Sequence, residues 1–380
     1  MATAFARLAP ADVRAGMAVG PYDMIDLPAP FHAYRGGHPT PDTGSVAAGR
    51  RALDLARAGR EDESLVVLLS GGASALLAAP VEGVSLEDKR ETTAWLLKAG
   101  ADIHALNTVR KHLSRIKGGW LAAAAGSPSL TLAVSDVIGD DLSVIGSGPT
   151  VADPTTYADA LAVLDRFGGR GGCPASAVGW IERGARGEVP DTPKPGDPRL
   201  ARAAARVIAS RHDALAGARG AAEALGYSVA VRDDAVSGEA RDAAQAHLAL
   251  AADLARGLSK PACILAAGET TVRVTGTGRG GRNQEFALAL APLLDGLGPA
   301  VAAASLGTDG VDGPTDAAGA IVDTTTITRA AAAGLADPKD YLRHNDSHAF
   351  LAGVHDLVVT GPTGTNVGDL QILLVARDGA

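Results

Sequence analysis

Aromatic residues make up only 3% of this 380-residue chain, and cysteine occurs twice, at Cys173 and Cys263. A core must therefore be built mainly from Ala, Val and Leu. Neither cysteine sits in metal-ligand spacing, and so low a count suits a reducing cytoplasm. Long apolar runs are missing, which excludes a membrane span. A basic segment followed by an apolar run is missing at the start, so no signal peptide is expected. There is no surplus of positive charge either. Against 43 Asp and Glu stand 35 Lys and Arg, a net charge of -8, which argues against a nucleic-acid partner. Two catalytic signatures are also absent. No G-x-S-x-G marks a nucleophile elbow, and no Gly-Lys-Ser/Thr marks a P-loop. What remains is an ordinary soluble composition, 46% hydrophobic and 21% charged, long enough for two or more domains.

Apolar runs and helical patterns alternate, which predicts an α/β fold with mainly parallel sheet. "SLVVLLSGG" (64–72), "SLTLAVSD" (129–136) and "AVAAASLGTDG" (300–310) read as strands ending in polar turns, where open α/β sheets place ligands. Ser45 is expected to open a helix reaching about Gly59. "SLED" (85–88) is a capping-box pattern, and Asp153 with Pro154 reads as the start of another helix. The stretch 184–198, rich in Gly and Pro, is the best linker candidate, with a second boundary near 257–261. "ARVIAS", a helix near 212–225 and "YSVAVR" read as a strand–helix–strand unit.

Several motifs could carry chemistry. In "TGTGRGGRNQEFALALA" (275–291) a glycine-rich loop enters a helix, with Arg282 and Asn283 at the join and Glu285 in the first turn. Bare N–H groups at such a start favour an anion, which makes Gly280, Gly281, Arg282, Asn283 and Glu285 candidates; a pure turn is the alternative. The string also satisfies G-x-G-x-x-G. However, the preceding "ETTVRVTG" alternates like a half-exposed strand, and the acid expected for a ribose is missing, so a phosphate or carboxylate fits better than a dinucleotide. "LLSGGASALL" (68–77) is a second junction, where Ser70, Gly71, Gly72 and Ser74 either cradle a phosphate or form a tight turn. "NTVRKHLSRIKGGWLA" (107–122) aligns Asn107, Arg110, Lys111 and Ser114 on one helical face, adds Lys117, and has no acid of its own to pair with its cations, so Asn107, Arg110 and Lys117 are candidates for a phosphate or other anionic substrate group; a mixed-charge surface helix is the alternative. Asp136, Asp140 and Asp141 surround one glycine turn, and Asp309, Asp312 and Asp316 another. Hard oxygen ligands beside phosphate sites suggest Mg²⁺, with Asp140, Asp309 and Asp312 as ligands; turn and cap roles are the alternative. Together, N–H cradles, cations and carboxylates are what phosphoryl transfer needs.

These strings, with "GTDGVDGPTDAAGA", "NDSHAFL" and "TGPTGTNVGDL", resemble the class II glycerate 2-kinases, the proteins with a C-terminal MOFRL domain, many of them labelled hydroxypyruvate reductases. The likeness runs from about Gly37 to Leu374. It implies an N-terminal Rossmann-like domain over 1–195 and a C-terminal α/β domain over 200–380 with a mixed sheet, its MOFRL region starting near 260, and a cleft between the two. It implies a cytoplasmic enzyme, monomer or homodimer, that uses ATP and Mg²⁺ to phosphorylate D-glycerate at its 2-hydroxyl. Arg282 becomes an active-site cation, and from their place past strand ends Asp136 and Asp309 are expected in the same site. Family members begin with a strand and a "GKA" motif whose lysine is read as catalytic. This chain begins "MATAFARLAP", resembling the middle of the helix after that motif, so the lysine role falls on no residue here and weak kinase activity is expected. Two other readings stay open: an NAD(P)H-dependent hydroxypyruvate reductase, and an inactive ligand-binding homologue.

Overall fold

The computed structural model describes residues 1–9, 12–22, 27–295 and 301–376, so Pro10 and Ala300 of the sequence expectations lie outside the described residues. The chain forms two compact units. The first comprises Met1–Ala133 and Asp140–Ile208; the second comprises Val134–Gly139 and Ala209–Ala380.

In the first unit, strands Leu65–Leu69, Ser129–Val134 and Ala203–Ala209 make a three-stranded sheet in that order, the first two parallel. A separate parallel pair joins Gly16–Gly20 to Phe31–Arg35. The helices start where local chemistry supplies caps. Ser85 and Asp88 form the expected reciprocal box. Two starts differ from the sequence reading. Ser45 is not the first cap but the third residue of the helix Thr43–Arg57, boxed with Asp42. The helix expected at Asp153 begins instead at Tyr157, with Thr156 and Asp159 as its box. Asp153 is drawn inward because it has better partners than a helix start: Lys111, Thr155 and Thr192. The Gly- and Pro-rich stretch 184–198 does not hang free. Asp191 Oδ1 meets His112 Nε2 at 3.0 Å, and Pro193 O accepts from Asp153 N at 2.8 Å.

The second unit is built on a seven-stranded mixed sheet. Its order is Leu357–Val358, Gly319–Asp323, Val301–Gly307, Asp369–Val375, Ala262–Thr271 and Ser228–Val231, with Val236–Glu239 also pairing along Ala262–Thr271. The strand Ala262–Thr271 is antiparallel to Asp369–Val375 and parallel to both Ser228–Val231 and Val236–Glu239. The expected unit of "ARVIAS", helix and "YSVAVR" does not close, because its two strands join different sheets. The expected half-exposed strand "ETTVRVTG" is also shifted. The real strand ends at Thr271 and draws on the apolar run before it, nearly all of it buried. The helix Arg282–Leu294 is buried along most of its length, with Phe286, Leu288, Leu290 and Leu294 in the core beside small alanines. Scarce aromatics are thus offset by close Ala-rich packing.

Candidate active site

The glycine-rich loop before Arg282 packs against its own chain. Thr275 N and Gly276 N both donate to Asn345 Oδ1 at 2.8 Å, and Arg279 N donates to Asp346 Oδ1 at 3.0 Å. A Cβ on Gly276 would stand 2.2 Å from His344 O, and one on Gly278 2.4 Å from Asp346 Cβ. The glycines are therefore required by close backbone approach, not by a pyrophosphate.

The anion at the helix start is the chain's own Asp312. Its Oδ1 accepts from Asn283 N at 3.0 Å and its Oδ2 from Gln284 N at 2.8 Å and Gln284 Nε2 at 3.0 Å. Burial pushes this carboxyl up, against the opposing pull of those N–H groups. Two expectations are corrected here. Asp312 is not offered to a metal, because both oxygens cap the helix. The Asn283 N–H is likewise not bare. Among the described residues the N–H groups of Gly280, Gly281 and Arg282 retain no acceptor. Glu285, expected to face a ligand, is buried and pinned by Arg241 Nε and Asn345 Nδ2, each at 2.7 Å. It supports the loop through Asn345.

Arg282 lies where the ends of three strands meet this helix. Its Nε contacts Asp369 Oδ2 at 2.8 Å, one terminal nitrogen donates to Asp369 Oδ1 at 3.0 Å, and the other donates to Glu269 Oε1 at 2.9 Å. Burial disfavours the guanidinium charge, yet Asp369 and Glu269 outweigh it and hold the pKa above the ordinary arginine value. Burial also raises the Glu269 and Asp369 carboxyls. Asp136 and Asp369 push Glu269 further in that direction, while Arg282 pulls both down. Five donors on a planar fork leave two N–H groups of Arg282 uncommitted. Asn283 braces the arrangement, donating to Asp369 Oδ1 at 2.9 Å and accepting from Ser305 Oγ at 2.7 Å.

Asp136 and Asp309 belong to the same neighbourhood. Asp136 Oδ2 accepts from Asn366 Nδ2 at 3.1 Å and its field reaches Glu269. A Cβ on Gly307 would lie 3.0 Å from Asp309 Oδ1 and 3.5 Å from Asn283 Nδ2, which places Asp309 beside Asn283. Asp309 Oδ1 accepts from Val311 N at 3.1 Å. Among the described residues no three His, Cys, Asp or Glu side chains gather as a metal cage. Sequence reasoning missed Asp369 and Glu269. The available signal was an acid directly preceding the buried run "LQILLV", since a buried carboxylate needs a partner.

The remaining candidates lie in the first unit. Gly72 is left-handed (φ 79°) and opens the single turn Ala73–Leu76; a Cβ there would meet the His38 ring at 2.9 Å. Ser70 O accepts from Ala73 N at 3.4 Å, closing the turn over Gly71. Ser74 Oγ lies 2.8 Å from Ser147 Oγ, which donates to Asn107 Oδ1 at 3.0 Å. Lys117, expected to meet phosphate, points inward, because Ser74 O at 2.8 Å, Ser74 Oγ at 3.1 Å and Gly146 O at 3.3 Å take its donors. Lys111 finds the acid that its own segment lacks, Asp153 Oδ1 at 3.3 Å. Asp140 sits in this unit in a left-handed turn (φ 55°), the turn role that aspartate tolerates.

Known proteins share this architecture. The family described as a domain of unknown function (DUF4147) matches residues 1–182, and the MOFRL family matches residues 262–369. The glycerate 2-kinase of Pyrococcus horikoshii is 40% identical over 368 residues, covering 96% of this chain and 82% of that protein. The D-glycerate 2-kinase of Thermotoga maritima is also 40% identical over 368 residues, covering 96% and 85%. The crystal structure of glycerate kinase from Thermotoga maritima superposes with a TM-score of 0.87 over 99% of this chain and 88% of that one, at 40% identity. With both domain families in order and such relatives along almost its whole length, the chain belongs to the glycerate kinase family.

Proposed function

We propose that this protein transfers the γ-phosphoryl group of ATP to the 2-hydroxyl of D-glycerate. The observation that carries the reading is the fixed Arg282 guanidinium, held on one side by Asp369 and Glu269 with two donors to spare, in a chain similar to glycerate 2-kinases throughout. Phosphoryl transfer asks chiefly for positioning and for stabilisation of charge spread over phosphoryl oxygens. A guanidinium locked before substrate arrives supplies both without reorganising. The N–H groups of Gly280, Gly281 and Arg282, without an acceptor among the described residues, offer a second set of donors.

Mg²⁺ fits a particular mode here. Lacking an all-protein cage among the described residues, the chain suits an ion held by one or two carboxylates together with nucleotide phosphates and water. Asp309 would hold it: its Oδ2 has no protein partner among the described residues. Bound Mg²⁺ would neutralise phosphate charge. Asp136, hydrogen-bonded to Asn366 and within the field of Glu269, would orient substrate hydroxyls. Two free, buried cysteines fit a cytoplasmic setting.

An assay with D-glycerate, ATP and Mg²⁺, run beside one with hydroxypyruvate and NADH, tests the reading. Formation of ADP that depends on glycerate supports it. Oxidation of NADH without ADP formation refutes it in favour of a reductase, and silence in both assays favours a non-catalytic binder.

A further inference from the structure

The first unit contains a group of shielded cations with no carboxylate among them. Lys89, in the helix Leu86–Lys98, is buried; its Nζ donates to Leu113 O at 3.3 Å and Arg110 O at 3.5 Å, carbonyls at the end of the helix Ile103–His112. Lys117 is buried and spends its donors on Ser74 and Gly146. Carbonyls and hydroxyls satisfy these ammonium groups but do not neutralise them. Arg110 is the third member. It is partly buried, and among the described residues its guanidinium has neither an acceptor nor an ion pair. Nearby acids are already taken, Asp153 by Lys111 and Asp191 by His112 and Lys194.

The electrostatics agree with the geometry. Burial, then the field of Arg110, lowers Lys89 to about 7 and lowers Lys117 well below its ordinary value. Burial also lowers Arg110. Such a group sheds part of its charge when empty, and an anion bound beside it would let all three groups stay charged.

Hydrogen-bond direction indicates where the counter-charge would sit. Lys117 Nζ donates to Ser74 Oγ. Ser147 spends its single proton on Asn107 Oδ1, so Ser74 must donate to Ser147. The relay ends on the Asn107 carbonyl and leaves its NH₂ group as a donor with no acceptor among the described residues. Asn107 and Arg110, three residues apart, share one face of the helix.

We propose that Asn107 and Arg110 bind an oxyanion, the phosphoryl or carboxylate group of a small substrate, whose charge completes the Lys89–Arg110–Lys117 group. A planar guanidinium beside an amide NH₂ suits the two oxygens of such a group. The site rests on the kinase reading only for which substrate delivers the oxyanion.

Thermal melting of the full chain, titrated separately with inorganic phosphate, ATP and D-glycerate against chloride at matched ionic strength, tests this. The wild type is expected to gain stability with at least one of the three. Arg110→Gln is expected to weaken that apparent affinity about 10–100-fold. Loss for phosphate and ATP identifies a phosphoryl group, and loss for glycerate alone identifies a carboxylate. Arg110→Lys keeps the charge but not the fork and serves if the glutamine variant fails to fold; it is expected to bind several-fold more weakly than wild type. The titration reads binding rather than turnover, so an inactive enzyme would not decide it. No stabilisation of the wild type by any of the three, or equal affinities in wild type and Arg110 variants, would overturn the proposal.

Discussion

A single side chain, Arg282, joins the architecture of the second unit to its chemistry. It was visible in the sequence because a cation at a glycine-rich helix entrance has an evident use. Its partners were not: Asp369 lies 87 residues downstream, and only the pairing of the strands Ala262–Thr271 and Asp369–Val375 brings it close. Arg282→Ala is expected to lower kcat by roughly 10²–10³ and to lower the melting temperature while keeping the fold, because the buried Asp369 carboxyl loses its cation. Arg282→Lys should recover little, because one ammonium cannot hold Asp369 and Glu269 in the same fork. An alanine variant with wild-type kcat would remove the arginine from the mechanism. A second residue governs pH dependence. His247 is buried against Phe286 with Nδ1 unpartnered, and burial, helped by Arg232, lowers its pKa to about 4. The unfolded chain takes up this proton near pH 6.5, while the folded chain resists until about 4. Between those values the unfolded state binds more protons, so stability falls as pH falls, by on the order of 3 kcal/mol across the window. His247→Leu should flatten that slope in urea melts taken at several pH values; an unchanged slope would assign it to other groups.

At the scale of elements, the sequence revealed most where the signal is local. The strands at 65–69 and 129–134 and the box at Ser85 were readable because short apolar runs ending in polar turns, and capping, act within a few residues. Misreadings arose where a distant partner decided the outcome. Asp153 looked like a cap but serves Lys111 and Thr192, and the Asn283 N–H looked bare but is taken by Asp312. The start of the helix Arg282–Leu294 therefore depends on one carboxylate. Asp312→Ala should destabilise the protein by about 2–4 kcal/mol, since it removes a cap and leaves buried donors unpaired. Gly281→Ala should act in the same direction, because its Cβ would stand 2.3 Å from Asp312 Cγ. Denaturant melts of both variants check this. Midpoints equal to wild type would show that the helix is capped by something else.

For the whole molecule, the α/β character and the family were legible because long ordered motifs survive along the chain. The composition of two sheets was not, since strands adjacent in sequence such as Ala203–Ala209 and Ser228–Val231 pair in different sheets. The carboxylates read as metal ligands were the least legible part. An acid in a glycine turn looks the same in sequence whether it binds an ion, caps a helix as Asp312 does, or shapes a turn as Asp140 does. Function depends on all of this only through its product. The most direct measurement is therefore the phosphorus spectrum of a reaction containing the purified protein, D-glycerate, ATP and Mg²⁺. The account predicts 2-phosphoglycerate accumulating with ADP in equal amounts, and both forming roughly 10²–10³-fold more slowly with Arg282→Ala. Appearance of 3-phosphoglycerate instead, or no glycerate-dependent product from the wild type, would contradict it.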